Sequence, residues 1–165
     1  MELHPVSTRL FSLLVLFDMQ HDFFLRALED FPEEEAQNRL GTKANHVAWL
    51  AGSLVEQRYE MAYSFGVEGR SAAHELFKDN QGIRDGVHYP ALQSFRDDWQ
   101  KISPQLRTAL MNVQDAKLDE SFEMMPGMRM TYFDLTTFMI YREANCIGQI
   151  ALWRRLLGLP AMRYM

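Results

Sequence analysis

Arg142, Cys146 and Gln149 stand at positions i, i+4 and i+7 of one long apolar-patterned stretch and therefore share a helix face. Such a row allows little chemistry. An arginine side chain is a permanent cation with a planar fork of donors, suited to gripping a carboxylate, phosphate or sulfate through two parallel hydrogen bonds. A cysteine one turn away would have its thiolate favoured by that cation and could act as a nucleophile. Thiolate catalysis also needs a base, and no motif places a histidine beside Cys146. A buried, inert thiol is the competing expectation for it.

The element that must position this row spans residues 131–160. Its apolar residues, among them Phe138, Tyr141, Ile147, Ile150, Trp153 and Leu156, recur at helical spacing over about seven turns. Thr131 with Asp134 three residues on resembles a helix-start signal, and Gly158 followed by Pro160 is a stop. Three further helices are expected. Residues 6–29 carry Leu10, Leu14, Phe17, Phe24 and Leu28 on one stripe, with Ser7 or Thr8 as cap. Residues 42–65 follow Gly41 with Thr42 as the expected cap, and small residues at Ala48, Ala51, Gly52 and Ser53 invite close approach by another helix. Residues 91–113 show the same three- and four-residue spacing, but Pro104 should kink or interrupt them, or else open a fresh helix behind Ser103.

Between the second and third of these lies a connection, residues 66–90, too long to join simple antiparallel neighbours. It suits a crossover in a bundle with one long middle connection. His74 and His88 fall in it and read as solvent-facing. Residues 114–130 form a polar, methionine-rich link with a Pro126-Gly127 turn signal, in which strand pairing is the less favoured reading. The acidic run Glu33, Glu34 and Glu35 reads as solvated surface.

Two segments carry a family resemblance. The run Arg142-Glu143-Ala144-Asn145-Cys146-Ile147-Gly148-Gln149-Ile150, followed by Leu156-Leu157-Gly158-Leu159-Pro160, resembles the last helix of the DinB/YfiT-like superfamily. Asn45-His46-Val47-Ala48-Trp49-Leu50-Ala51-Gly52-Ser53-Leu54 resembles the second-helix signature of one DinB-like branch. The resemblance implies an all-α four-helix bundle over the whole chain, with the crossover between helices two and three. It also implies a divalent metal, such as nickel or zinc, on three histidines. At the corresponding positions this chain has Ser53, Arg142 and Cys146. An arginine has no lone pair to offer a metal and a serine hydroxyl is a poor ligand, so no metal cofactor is expected there. His46 lies seven residues before Ser53, about 10 Å along a helix, too far to take over the vacated position. A local hydrogen bond at the helix start is its simpler role.

The resemblance therefore turns into a hypothesis about charge. Arg142 would stand where relatives keep a cation, leaving a pocket that holds a small anion through Arg142 and the Ser53 hydroxyl. The alternative is that Arg142 pairs internally with Glu56, Glu60 or Asp134. The candidate binding residues are Ser53, Arg142, Cys146, His46 and Gln149; Glu143 reads as structural, with Gly148 allowing close approach and Gln149 bonding another helix's backbone. Two functions from different classes remain open: a ligand-binding member without the metal site, and a metal- or thiol-dependent enzyme such as a thiol transferase.

Composition narrows the partners. The chain has 165 residues, 47% of them hydrophobic, enough for one domain with a sizeable core. Its 22 acidic and 17 basic residues give a net charge of −5 with no basic block, which argues against nucleic acid as a partner. One cysteine excludes an internal disulfide framework and fits a reducing compartment. The apolar run over residues 10–17 is too short to cross a bilayer and no charged-then-apolar leader opens the chain, so a cytoplasmic location without membrane contact is expected. A homodimer is expected from the habit of the relatives.

Overall fold

The longest helix starts at a reciprocal cap. Thr131 accepts a hydrogen bond from the backbone N–H of Asp134 (3.1 Å), and the Asp134 carboxylate accepts one from the backbone N–H of Thr131 (3.1 Å). In the computed structural model, which describes residues 3–165, this box opens α6 (Tyr132–Leu156). Three other long helices precede it: α1 (Phe11–Ala27), α2 (Val47–Ser64) and α4 (Leu92–Asn112). Two short helices, α3 (His74–Phe77) and α5 (Asp115–Asp119), three single-turn 3₁₀ segments, and an antiparallel hairpin of β1 (Ser121–Met125) and β2 (Met128–Thr131) complete the described elements. The protein is mainly helical. Among the described residues no helix is long and apolar enough to cross a membrane.

Cross-helix contacts fix the directions. Arg107 meets Asp18 and the Trp99 indole donates to the carbonyl of His21, so α4 runs antiparallel to α1. Arg58 reaches Ser103 while Gly52 lies against Phe95, so α2 and α4 run the same way. Trp153 donates to the carbonyl of Asn45 and Gln57 to that of Met139, which sets α6 antiparallel to α2 and parallel to α1. The chain thus runs up, down, down, up, with residues 65–91 as the crossover. The core lies between the four long helices and includes Leu14, Phe17, Phe24, Leu54, Phe95, Trp99, Leu106, Ile147 and Ile150.

At the centre of that core sits a charge. Arg58 is fully buried; its guanidinium donates to both oxygens of Glu143 (2.7 and 2.8 Å) and to the Ser103 hydroxyl (2.5 Å). It stacks 4.0 Å from the Phe17 ring and 3.4 Å from that of Trp99. All four long helices therefore meet on one side chain. Nearby, Gly52 is required by packing: a Cβ there would collide with the Phe77 ring and stand 2.8 Å from Phe95.

Several expectations are corrected. The second helix begins at Val47 rather than near Thr42; Thr42 instead closes a turn onto the carbonyl of Arg39. Helix α4 passes Pro104 without a break. The polar link holds a real hairpin, turned at Gly127 with φ of 80°. Glu33 is engaged rather than merely solvated: its carboxylate accepts from the backbone N–H of Leu92 and caps α4 (3.0 and 3.1 Å). The apolar pattern of α6 also overstates its core: Phe138, Tyr141 and Leu156 are exposed.

Breaking the central pair should be costly, because the remaining charge stays buried. Glu143→Ala is expected to lower unfolding free energy by about 3–5 kcal/mol in urea titration, whereas the double variant Arg58→Met with Glu143→Leu should recover most of that loss.

Candidate functional site

One residue along from the central pair, the same two helices make a second and different contact. Arg142 donates to the Gln57 carbonyl oxygen through Nη1 (2.6 Å) and to Ser53 Oγ through Nη2 (2.5 Å). The Gln57 amide is oriented for this because its Nε2 donates to the backbone carbonyl of Met139 (3.0 Å). Both acceptors are neutral. Among the described residues no carboxylate lies within ion-pair distance of Arg142. The internal pairing with Glu56, Glu60 or Asp134 is therefore not made: Asp134 is used in the cap of α6, and Glu56 is used elsewhere.

Arg142 is half-buried and lines a cavity of about 440 Å³. Its polar side is α2, which contributes Ser53, Glu56, Gln57 and Glu60 at successive turns. Its apolar side comes from Trp49, Phe77, the hairpin residues Met124 and Met125, and Phe138 and Met139 of α6. The exposed apolar side chains of the hairpin and of Phe138 thus have a place as cavity wall. A broader hollow of about 840 Å³ lies past the C-terminal end of α2, around Tyr63, Gly66 and Lys117. Its cation is already engaged, with Lys117 2.7 Å from Glu120 and 3.7 Å over the Tyr132 ring, so the smaller cavity is the better site.

Glu56 is buried beneath the cavity and accepts from the Ser71 hydroxyl (2.6 Å) and meets His74 Nδ1 (2.5 Å). His74 is therefore not a free solvent-facing side chain; it sits on α3, the short helix that the crossover folds over α2. Glu60, at the rim, is exposed and its carboxylate makes no hydrogen bond or ion pair among the described residues. Partial desolvation and the neighbouring negative charge of Glu56 raise its pKa, with Arg142 and His74 opposing.

Of the other predicted site residues, none lines this cavity. Cys146 is buried on the core side of α6, where burial pushes its thiol pKa up despite the opposing influence of Arg142. The expectation of a thiolate made reactive by Arg142 is corrected: desolvation outweighs the nearby cation. His46 is the N-cap of α2, accepting from the backbone N–H of Trp49 at Nδ1 (3.1 Å) and packing edge-on against Tyr89. Gln149 faces outward and its side chain makes no hydrogen bond among the described residues. Gly148 is also on the outside, with open space where a Cβ would stand, so neither residue serves contact between helices.

Gln57, Glu60 and the apolar wall were not singled out as ligand-binding residues from sequence. Gln57 had a usable signal, because it lies four residues after Ser53 and so shares its helix face. The hairpin wall had none, since its residues are distant in sequence. The donor set also fits poorly with a divalent cation: Arg142 is itself a cation, Ser53 already accepts its hydrogen bond, and Cys146 favours the neutral thiol. Among the described residues no three His, Cys, Asp or Glu side chains converge as metal ligands. No family model matches the chain, and no curated protein matches it.

Two tests follow from these positions. Native protein at pH 8 should resist iodoacetamide at Cys146, with full labelling in denaturant followed by mass spectrometry; native labelling at the rate of a free thiol would contradict the burial. His46 has its pKa lowered to about 4, chiefly by burial, so the unfolded chain binds its proton first. Stability from this group is full above about pH 6.5 and falls as pH drops toward about 4, by an amount on the order of 2–3 kcal/mol. His46→Asn, which keeps a capping side chain, should flatten that slope in denaturation curves taken between these two values.

Proposed function

We propose that this chain is a DinB/YfiT-like four-helix bundle in which a fixed guanidinium has replaced the family's metal, and that its role is to bind a small organic anion. The up–down–down–up order of the long helices and the crossover over residues 65–91 are consistent with that family reading. The observation that carries the function is the state of Arg142: a half-buried cation in a cavity, oriented by two neutral acceptors and, among the described residues, unpaired by a carboxylate. A guanidinium so held keeps its charge available, and a carboxylate entering from the apolar side would gain a charge-assisted hydrogen bond in a low-dielectric setting. The methionine and aromatic wall suits an apolar body behind the charged group, and methionine adapts readily to different shapes.

The enzymatic alternative, a metal- or thiol-dependent reaction, is less favoured because the thiol is buried away from the cavity and the ligand positions hold Ser53 and Arg142. Location in the cytoplasm remains part of the same proposal.

Thermal unfolding with acetate, butyrate, phosphate or sulfate tests the reading. A bound anion at a hundred times its Kd should add about 2.7 kcal/mol of stability, a rise of roughly 5–10 °C. Arg142→Gln should abolish the rise. Stabilisation that survives this variant would overturn the assignment, as would stoichiometric nickel or zinc in protein purified without chelator that disappears in Cys146→Ala.

A further inference from the structure

The anion site leaves one charge unexplained. Glu60 lines the same cavity as Arg142, yet the two side chains do not pair, and the Glu60 carboxylate makes no other ion pair or hydrogen bond among the described residues. Opposite charges on facing helices attract and pair when their geometry permits. Here Arg142 is drawn toward Ser53 and Gln57, and Glu60 lies a further turn along α2. At 1.5 Å per residue, the midpoint of Ser53 and Gln57 stands about 7.5 Å along the helix axis from Glu60. The two charged groups stand beyond ion-pair distance of each other, which leaves room for a small molecule that meets both.

Trp49, also on the cavity wall, has its indole N–H buried without an acceptor among the described residues. The remaining charged groups around Glu60 do not cancel it. Glu56 repels it and Asp79 adds to that effect, His74 is held by Glu56, and Arg142 is held by its neutral acceptors. Desolvation first, and then the charge of Glu56, raise the pKa of Glu60 against the opposing influence of Arg142 and His74.

We infer that the ligand is a zwitterion, an amino-carboxylate whose acid group binds Arg142 and whose ammonium group binds Glu60 across the cavity. This rests on the reading of Arg142 as an anion site and names what that anion carries at its other end. An ω-amino acid with about three to five methylenes between its charged groups spans the gap when extended. Its methylenes would lie against Met139 and Phe138 on the apolar side.

Isothermal titration of the full chain with matched pairs tests the inference: butyrate against 4-aminobutyrate, and pentanoate against 5-aminopentanoate. The amino acid of at least one pair should bind tenfold or more tightly than its plain acid. Glu60→Gln should remove that advantage, the plain acid then binding as tightly as before or more tightly because a nearby negative charge is gone; a cooperative thermal unfolding curve like that of the parent checks that the variant is folded. If plain and amino acids bind alike, and both depend on Arg142, the zwitterion is wrong and the anion site stands. If no carboxylate binds at all, both fall. An advantage for the amino acid that persists in Glu60→Gln would also overturn the role given to Glu60.

Discussion

A single buried cation determines how the helices of this protein meet. Arg58 has no access to water, so its charge requires a partner within the protein, and Glu143 provides one in a two-pronged contact. The flanking rings of Phe17 and Trp99 and the Ser103 hydroxyl leave little freedom for the guanidinium. Because Arg58 belongs to α2 and Glu143 to α6, the pair fixes both the rotation and the axial register of those helices. A hydrophobic contact could slide by a turn at modest cost; a buried ion pair cannot. The next residue on each helix inherits that register. Gln57 and Arg142 are the immediate predecessors of Arg58 and Glu143, and they meet because their neighbours do.

The two arginines show how burial decides partner chemistry. Arg58, cut off from solvent, has a carboxylate. Arg142, half-exposed, makes do with an amide and a hydroxyl because water in the cavity screens what they leave unsatisfied. A ligand that displaces this water must therefore replace its solvation. An apolar molecule would leave the guanidinium stranded, whereas a carboxylate supplies both charge and acceptors. The selectivity proposed for the cavity thus comes from desolvation as much as from attraction.

Much of this was legible from the order of residues, and the failures have definite physical sources. Thr131 and Asp134 announced their cap because that contact is local, three residues apart, and independent of the rest of the fold. The long middle connection announced a crossover because its length is itself geometric information. Arg58 gave no comparable sign. It sits between Glu56 and Glu60 in what looks like an ordinary charged segment, and nothing in local spacing tells that Glu56 and Arg58 are turned inward while Glu60 is not. Glu143 was similarly hidden, one residue off the row formed by Arg142, Cys146 and Gln149. The spacing of that row implies one shared face, but its members diverge: Arg142 borders the cavity, Cys146 enters the core and Gln149 faces out. Residues at i, i+4 and i+7 share a stripe, but a stripe has width, and at a helix edge a few tens of degrees separate core from solvent.

That same angular spread separates the thiol from the cavity proposed to bind an anion. Cys146 lies one turn from Arg142, close enough to feel its charge, but on the side where water is excluded. A thiolate there would lose more in hydration than it gains from a cation that is itself turned toward Ser53 and Gln57. Turning Cys146 toward the cavity would require α6 to rotate, and the bond from Glu143 to Arg58 opposes that rotation. The interaction that brings Arg142 to the cavity wall is thus also the one that keeps the sulfur out of it.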